Sequence, residues 1–109
     1  MIFPLYQDAV ADEMTSGTAV IVATTGTELL HGETSADLTL ADGSKIGQIK
    51  KLVAGDAYVY TITPSNFVDG TTVALAAVVG NFVELMWAPG TGSAADAWRV
   101  VASQGVTIA

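Results

Sequence analysis

Reactive side chains are few in this sequence and lie apart from one another. His31 is the sole histidine, has no partner at short spacing, and reads as a loop or strand-end imidazole rather than a base or ligand. The serines are scattered, and none sits in a nucleophile elbow. Eleven carboxylates are spread singly, so a glycosidase-like pair would have to be assembled by the fold alone. Asp42-Gly43-Ser44 and Asp69-Gly70-Thr71 lack the alternating acidic ligands of a calcium loop and read as turns. Without cysteine there is no disulfide and no thiolate metal site. Neither a cofactor nor an enzymatic activity is expected.

Two groups of residues are suited to binding instead. Tyr58, Tyr60, Trp87 and Trp98 would suit a sugar-stacking platform; alternatively, Trp87 and Trp98 face each other across the last hairpin as a core pair. The second group lies in "TLADGSKIGQIKKLV", Thr39 to Val53, which holds Lys45, Lys50 and Lys51, three of the four basic residues. Lys50 and Lys51 are adjacent and so point to opposite faces of a regular strand. One would meet solvent or a neighbouring chain, while the other snorkels to the rim or pairs with a carboxylate. Protection of a strand edge is the simplest role for such lysines.

Composition narrows the classes further. A net charge of −7 opposes binding to nucleic acid, which needs clustered cations to release counterions, and to anionic membrane. No stretch approaches the ~20 apolar residues of a membrane span. The opening "MIFPLYQDAVADEM" lacks the basic and long apolar regions of a secretory signal; beginning at Met1, the chain is expected to be an intact, cytoplasmically made product. With 50% hydrophobic and only 14% charged residues, polar surface is scarce, which points to an oligomer burying apolar surface between chains.

The elements that must position these residues are β-strands. At 109 residues the chain is one domain, divided into an N-terminal docking arm (1–16) and a β-domain (17–109). In the arm, "MIFPLY" is extended around Pro4, and "QDAVADEM" suits one or two helical turns. Pro4 fits an edge or a docking peptide better than a central strand, so Ile2, Phe3, Leu5 and Tyr6 are expected to pack on another chain. "TAVIVATT" is apolar without alternation, as in a strand covered on both faces, and "ELLH" is strand or turn. "ADLTLADGSKIGQIKKLV" reads as a hairpin turning at Asp42-Gly43, with a bulge at Gly47 to bring Ile46 and Ile49 onto one face. "AYVYTIT", "TTVALAAV", "NFVELMW" and "WRVVASQGVTIA" supply the remaining strands. The inward set is Leu38, Leu40, Ile62, Val73, Leu75, Val83, Leu85 and Trp87. Phe82 and Met86 share the opposite face with Glu84, where an apolar pair suggests a partner chain. Turn signals every 8–12 residues predict an all-β, single-domain antiparallel sandwich or barrel, jelly-roll-like, with a short helical turn near the N-terminus.

The order of motifs resembles a family of small β-rich virion proteins of tailed bacteriophages. The resemblance runs from Ala36 to Ser103 through Leu38, Leu40, Asp42-Gly43, Gly47-Gln48 and Lys50. It continues in Thr63-Pro64, Asn66-Phe67 and Gly70-Thr71-Thr72, then in Val83, Leu85, Trp87, Trp98 and Val100. The N-terminal arm lies outside it, and the loop between the tryptophans is longer than the family's. The resemblance implies a non-enzymatic capsid decoration (cement) or head-fibre protein. Such a protein would be a homotrimer on the outer surface of the head, bound to the major capsid protein and made in the host cytoplasm. It also favours Lys50 over Lys51 for a subunit- or capsid-facing ion pair, with Gln48 on the same side. The competing expectation, from the aromatic residues, is a carbohydrate-binding module or fibre tip contacting host glycans.

Overall fold

The computed structural model describes residues 10–14, 18–21, 26–32 and 35–109. The docking segment Met1–Tyr6 lies outside the described residues. Ten strands form among the described residues: β1 (Val10–Met14), β2 (Thr18–Ile21), β3 (Gly26–Gly32), β4 (Ala36–Leu40), β5 (Ile49–Ala54), β6 (Tyr60–Pro64), β7 (Val73–Leu75), β8 (Phe82–Ala88), β9 (Ala97–Gln104) and β10 (Val106–Ile108). The described chain is all-β. No helix occurs among the described residues, and Val10–Met14, expected to be helical, is a strand hydrogen-bonded parallel to β3. A segment this short cannot repay helix nucleation, whereas a neighbouring ladder satisfies its backbone at once.

The strands make two five-stranded mixed sheets, ordered β1-β3-β5-β8-β9 and β2-β4-β6-β7-β10. Through the first six strands the chain alternates between sheets, so like neighbours run parallel: β1, β3 and β5 in one, β2, β4 and β6 in the other. It then reverses, pairing β6 with β7, β5 with β8 and β8 with β9 in antiparallel fashion. The wholly antiparallel arrangement expected from the sequence is therefore corrected.

So is the hairpin at Asp42-Gly43, since β4 and β5 lie in different sheets. A two-residue type I′ turn needs positive φ at both central residues, and neither Asp42 nor Gly43 has it. Gly43 is required for another reason. A Cβ on it would stand 2.4 Å from Cγ of Trp87, so the connection runs flat against the indole. The positive φ falls instead at Gly47, at 91°, in the turn before β5. It does not bring Ile46 inward: Ile46 is 54% exposed, and Ile49 faces away from the core. The one register shift in the β8–β9 pair lies between Glu84 and Leu85.

Both sheets feed one core. Strands β5 to β8 alternate buried and part-exposed residues, and all eight residues expected inward belong to the core cluster. Leu30, Leu52, Tyr60 and Trp98 join them. Leu85 is fully buried in β8, a strand flanked on both sides. Leu85→Ala is expected to cost about 2–5 kcal/mol, read as a lowered urea midpoint. A change below ~1 kcal/mol would mean the surrounding core collapses freely into the space.

Candidate interaction surface

Motif residues far apart in sequence meet at one node. Nε1–H of Trp98 donates to the Ala41 carbonyl at 3.0 Å, and Nδ2 of Asn66 donates to both Asp42 carboxylate oxygens at 2.9 and 3.1 Å. The Trp98 amide donates to the Asn66 carbonyl at 2.9 Å, and the Val68 amide to the Trp98 carbonyl at 3.1 Å. Beyond them, the Asp69 carboxylate accepts the Val100 N–H at 2.8 Å. The loop 65–69 thus occupies part of the outer edge of β9, where unpaired backbone groups would otherwise recruit another strand. Inside the node, Trp87 and Trp98 are cross-strand partners with ring centroids 5.3 Å apart at 66°, an edge-to-face geometry that aromatic quadrupoles favour. They are 7% and 0% exposed. Tyr60 is also buried, its hydroxyl donating to Asp56 at 2.8 and 2.9 Å. Of the four aromatic candidates for sugar stacking only Tyr58 is exposed, at 38%.

The lysines part company. Lys50 is only 2% exposed, on the core-facing row of β5 together with Gln48, Leu52 and Ala54. That corrects two expectations: β5 lies at the centre of its sheet, so neither lysine guards an edge, and Lys50 does not present its ammonium to a neighbouring subunit or capsid. Gln48, as expected, shares its side, and its Oε1 accepts the Ser44 N–H at 2.7 Å. The burial of Lys50 was hidden because Ile49, Lys51 and Val53 form an equally apolar alternative row.

Phe82, Glu84 and Met86 sit half-buried on the outer face of that sheet, opposite the core. The register sets Val53 beside Phe82, Lys51 beside Glu84, and Ile49 beside Met86, with Arg99 next to Met86 on β9. Nζ of Lys51 lies 4.5 Å from the Phe82 ring centroid, within cation–π range. At one end of this face, Lys45, Ile46 and Ile49 help line a shallow concavity of roughly 300 Å³. The turn that forms it is held by Gly47 N–H donating to the Trp87 carbonyl at 2.8 Å.

Among the described residues, no three His, Cys, Asp or Glu side chains gather to hold a metal ion. Neither a protein-family model nor a curated protein matches this chain.

Proposed function

We propose that this chain is a structural virion protein of a tailed phage, a capsid decoration (cement) protein that binds the major capsid protein on the outer surface of the head. The carrying observation is that the motif residues behind the resemblance converge on one packed node of Asp42, Gly43, Asn66, Phe67, Trp87 and Trp98. Motifs that share a structural reason to occur together are better support than motifs matched one by one. We read the two sheets as a face-to-face sandwich, because residues from both enter the same core cluster, and the assembled form as a homotrimer. A cement of this kind would stiffen the shell against internal DNA pressure by clamping neighbouring capsomers.

A density map of intact particles is the direct test, with the chain expected at regular positions on the head. Particles lacking it are expected to release DNA more readily on osmotic shock. Its presence only on tails, or only in uninfected cells, would overturn the proposal. The glycan-binding alternative has less support, since Trp87, Trp98 and Tyr60 are buried. Deleting residues 1–6 offers a separate prediction: the β-domain should keep its circular dichroism spectrum and melting temperature while particle occupancy falls. Loss of folding with occupancy otherwise intact would make the segment an ordinary core strand.

A further inference from the structure

Residues 65–72, between β6 and β7, cross the side of the molecule where both sheets end. Among the described residues β9 and β10 are the last strands of their sheets, and this connection is bonded to the chain at both. Ser65 N–H donates to the Leu40 carbonyl at 2.9 Å, at the end of β4. The Trp98 amide donates to the Asn66 carbonyl, and the Trp98 carbonyl accepts the Val68 N–H. Two residues on, where the backbone of β9 again faces outward, the Val100 N–H donates to the Asp69 carboxylate at 2.8 Å. A side chain thus takes the place that the backbone of a further strand would fill. The amides of Thr71 and Thr72 then donate to the Ala109 carbonyl at 2.6 and 3.0 Å, and the Ala109 amide donates back to Thr72 at 3.0 Å. Gly70 lies flat against this end of β10: a Cβ on it would stand 2.7 Å from the Ala109 carbonyl oxygen and 2.9 Å from Cγ2 of Ile108.

We infer that residues 65–72 form a releasable strap, pinned by the side chains of Asn66 and Asp69, that keeps the edge of β9 from pairing with the same edge of a second copy. Phe67 is the strap residue that packs against the core, whereas Ser65, Val68, Asp69 and Gly70 are exposed. A segment with so little burial opens at lower free energy than the strands beneath it. Its surface bonds therefore decide whether it stays down. Asn66 fixes its start through the Asp42 carboxylate, and Asp69 fixes it on Val100. Once it lifts, Trp98 presents an N–H and a C=O, and Val100 an N–H, along one line, the template on which an incoming strand pairs. Every copy offers that line, so two copies can pair antiparallel about a two-fold axis. Beyond Val100 the edge has its own protection. Val101 is the extra residue at the register shift opposite Glu84 and Leu85, and a bulge spoils pairing. The strap covers the regular part. It is a property of the fold and does not rest on the virion assignment.

Amide hydrogen exchange by nuclear magnetic resonance, with light scattering after size exclusion, tests this on the full chain. Asn66→Ala with Asp69→Ala is expected to speed exchange at Trp98 and Val100 by roughly tenfold or more, the scale of one or two hydrogen bonds, and to leave the amides of Ile62 and Leu85 unchanged. The same variant should grow with concentration beyond the wild-type mass. Asp69→Asn keeps an acceptor oxygen and should behave as the wild type, which separates loss of the pin from loss of a charge. If the double variant loses its circular dichroism spectrum, Asp69→Ala alone serves, since that position is exposed. Unchanged exchange at Trp98 and Val100, or exchange that quickens uniformly through the core, defeats the strap. Faster exchange without growth in mass defeats its role at the edge. Growth seen equally in Asp69→Asn would make charge, and not the pin, the cause.

Discussion

Trp98→Ala is expected to cost about 3–5 kcal/mol, the range for truncating a large buried aromatic, and to place the protein near its unfolding threshold. Typical domains have only ~5–15 kcal/mol in total. Three losses combine at this position. The side chain is wholly buried, so removing the indole leaves a cavity in the core. The edge-to-face contact with Trp87 disappears, worth roughly 0.5–1.5 kcal/mol beyond burial. The Ala41 carbonyl loses its indole donor, which frees the connection between β4 and β5 on one side. Trp98→Phe separates these terms, since it keeps most of the aromatic packing and removes the N–H. Its expected cost is about 1–3 kcal/mol, that of a smaller ring and a carbonyl without its partner. Urea unfolding followed by circular dichroism would rank them, with the alanine variant melting roughly 15–25 °C below wild type. Equal effects from both substitutions would mean that the hydrogen bond, rather than the packing, holds the node.

The inward face was legible because apolar alternation with period two is unambiguous in "LTL", "YTIT", "TVAL" and "FVELMW". All eight residues it nominated are buried, and the Trp87–Trp98 pair followed from the same parity. What alternation does not encode is which sheet a strand enters. Leu38-x-Leu40 has the same pattern whether its successor is a hairpin partner or lies in the opposite sheet, and the Asp-Gly that suggested the hairpin serves a steric purpose instead. "TAVIVATT" did carry a hint, because non-alternating apolar strands belong with parallel neighbours, and β2 is indeed parallel to β4. Lys50 illustrates the other limit. Local pattern assigns a lysine to the surface, and only the register that sets Lys50 beside buried Leu85 of β8 reveals that its row is the buried one. The outward position of Phe82 and Met86 was legible; the gathering of Lys51 and Arg99 beside them depends on the register of β5 and β9 against β8.

Gly43→Ala is the substitution whose expected effect departs furthest from its modest chemistry. In a hairpin turn it would cost only the penalty of placing a side chain at positive φ, but φ here is not positive, so an L-alanine backbone is unstrained. The obstacle is space. The new methyl would lie 2.4 Å from Cγ, 2.7 Å from Cβ and 2.7 Å from Cδ2 of Trp87, distances that real carbon pairs do not tolerate. Trp87 cannot swing aside cheaply, because Trp98 stands edge-on against its ring and its backbone is tied to Gln48 and Gly47 by two bonds of 2.8 Å. Overpacking a closed site costs typically ~1–3 kcal/mol and at times more; with the clash at the root of a pinned side chain, about 3 kcal/mol is expected. Gly47→Ala provides the converse case. Its Cβ would meet nothing within 4 Å, but its φ is +91°, so it pays only backbone strain of about 1–2 kcal/mol. Chemical denaturation of both variants should therefore rank Gly43→Ala as the more damaging, with altered near-ultraviolet dichroism from the displaced indoles. If Gly47→Ala proves worse and Gly43→Ala leaves the tryptophan signal unchanged, the connection is free to lift off Trp87, and the node is looser than its geometry implies.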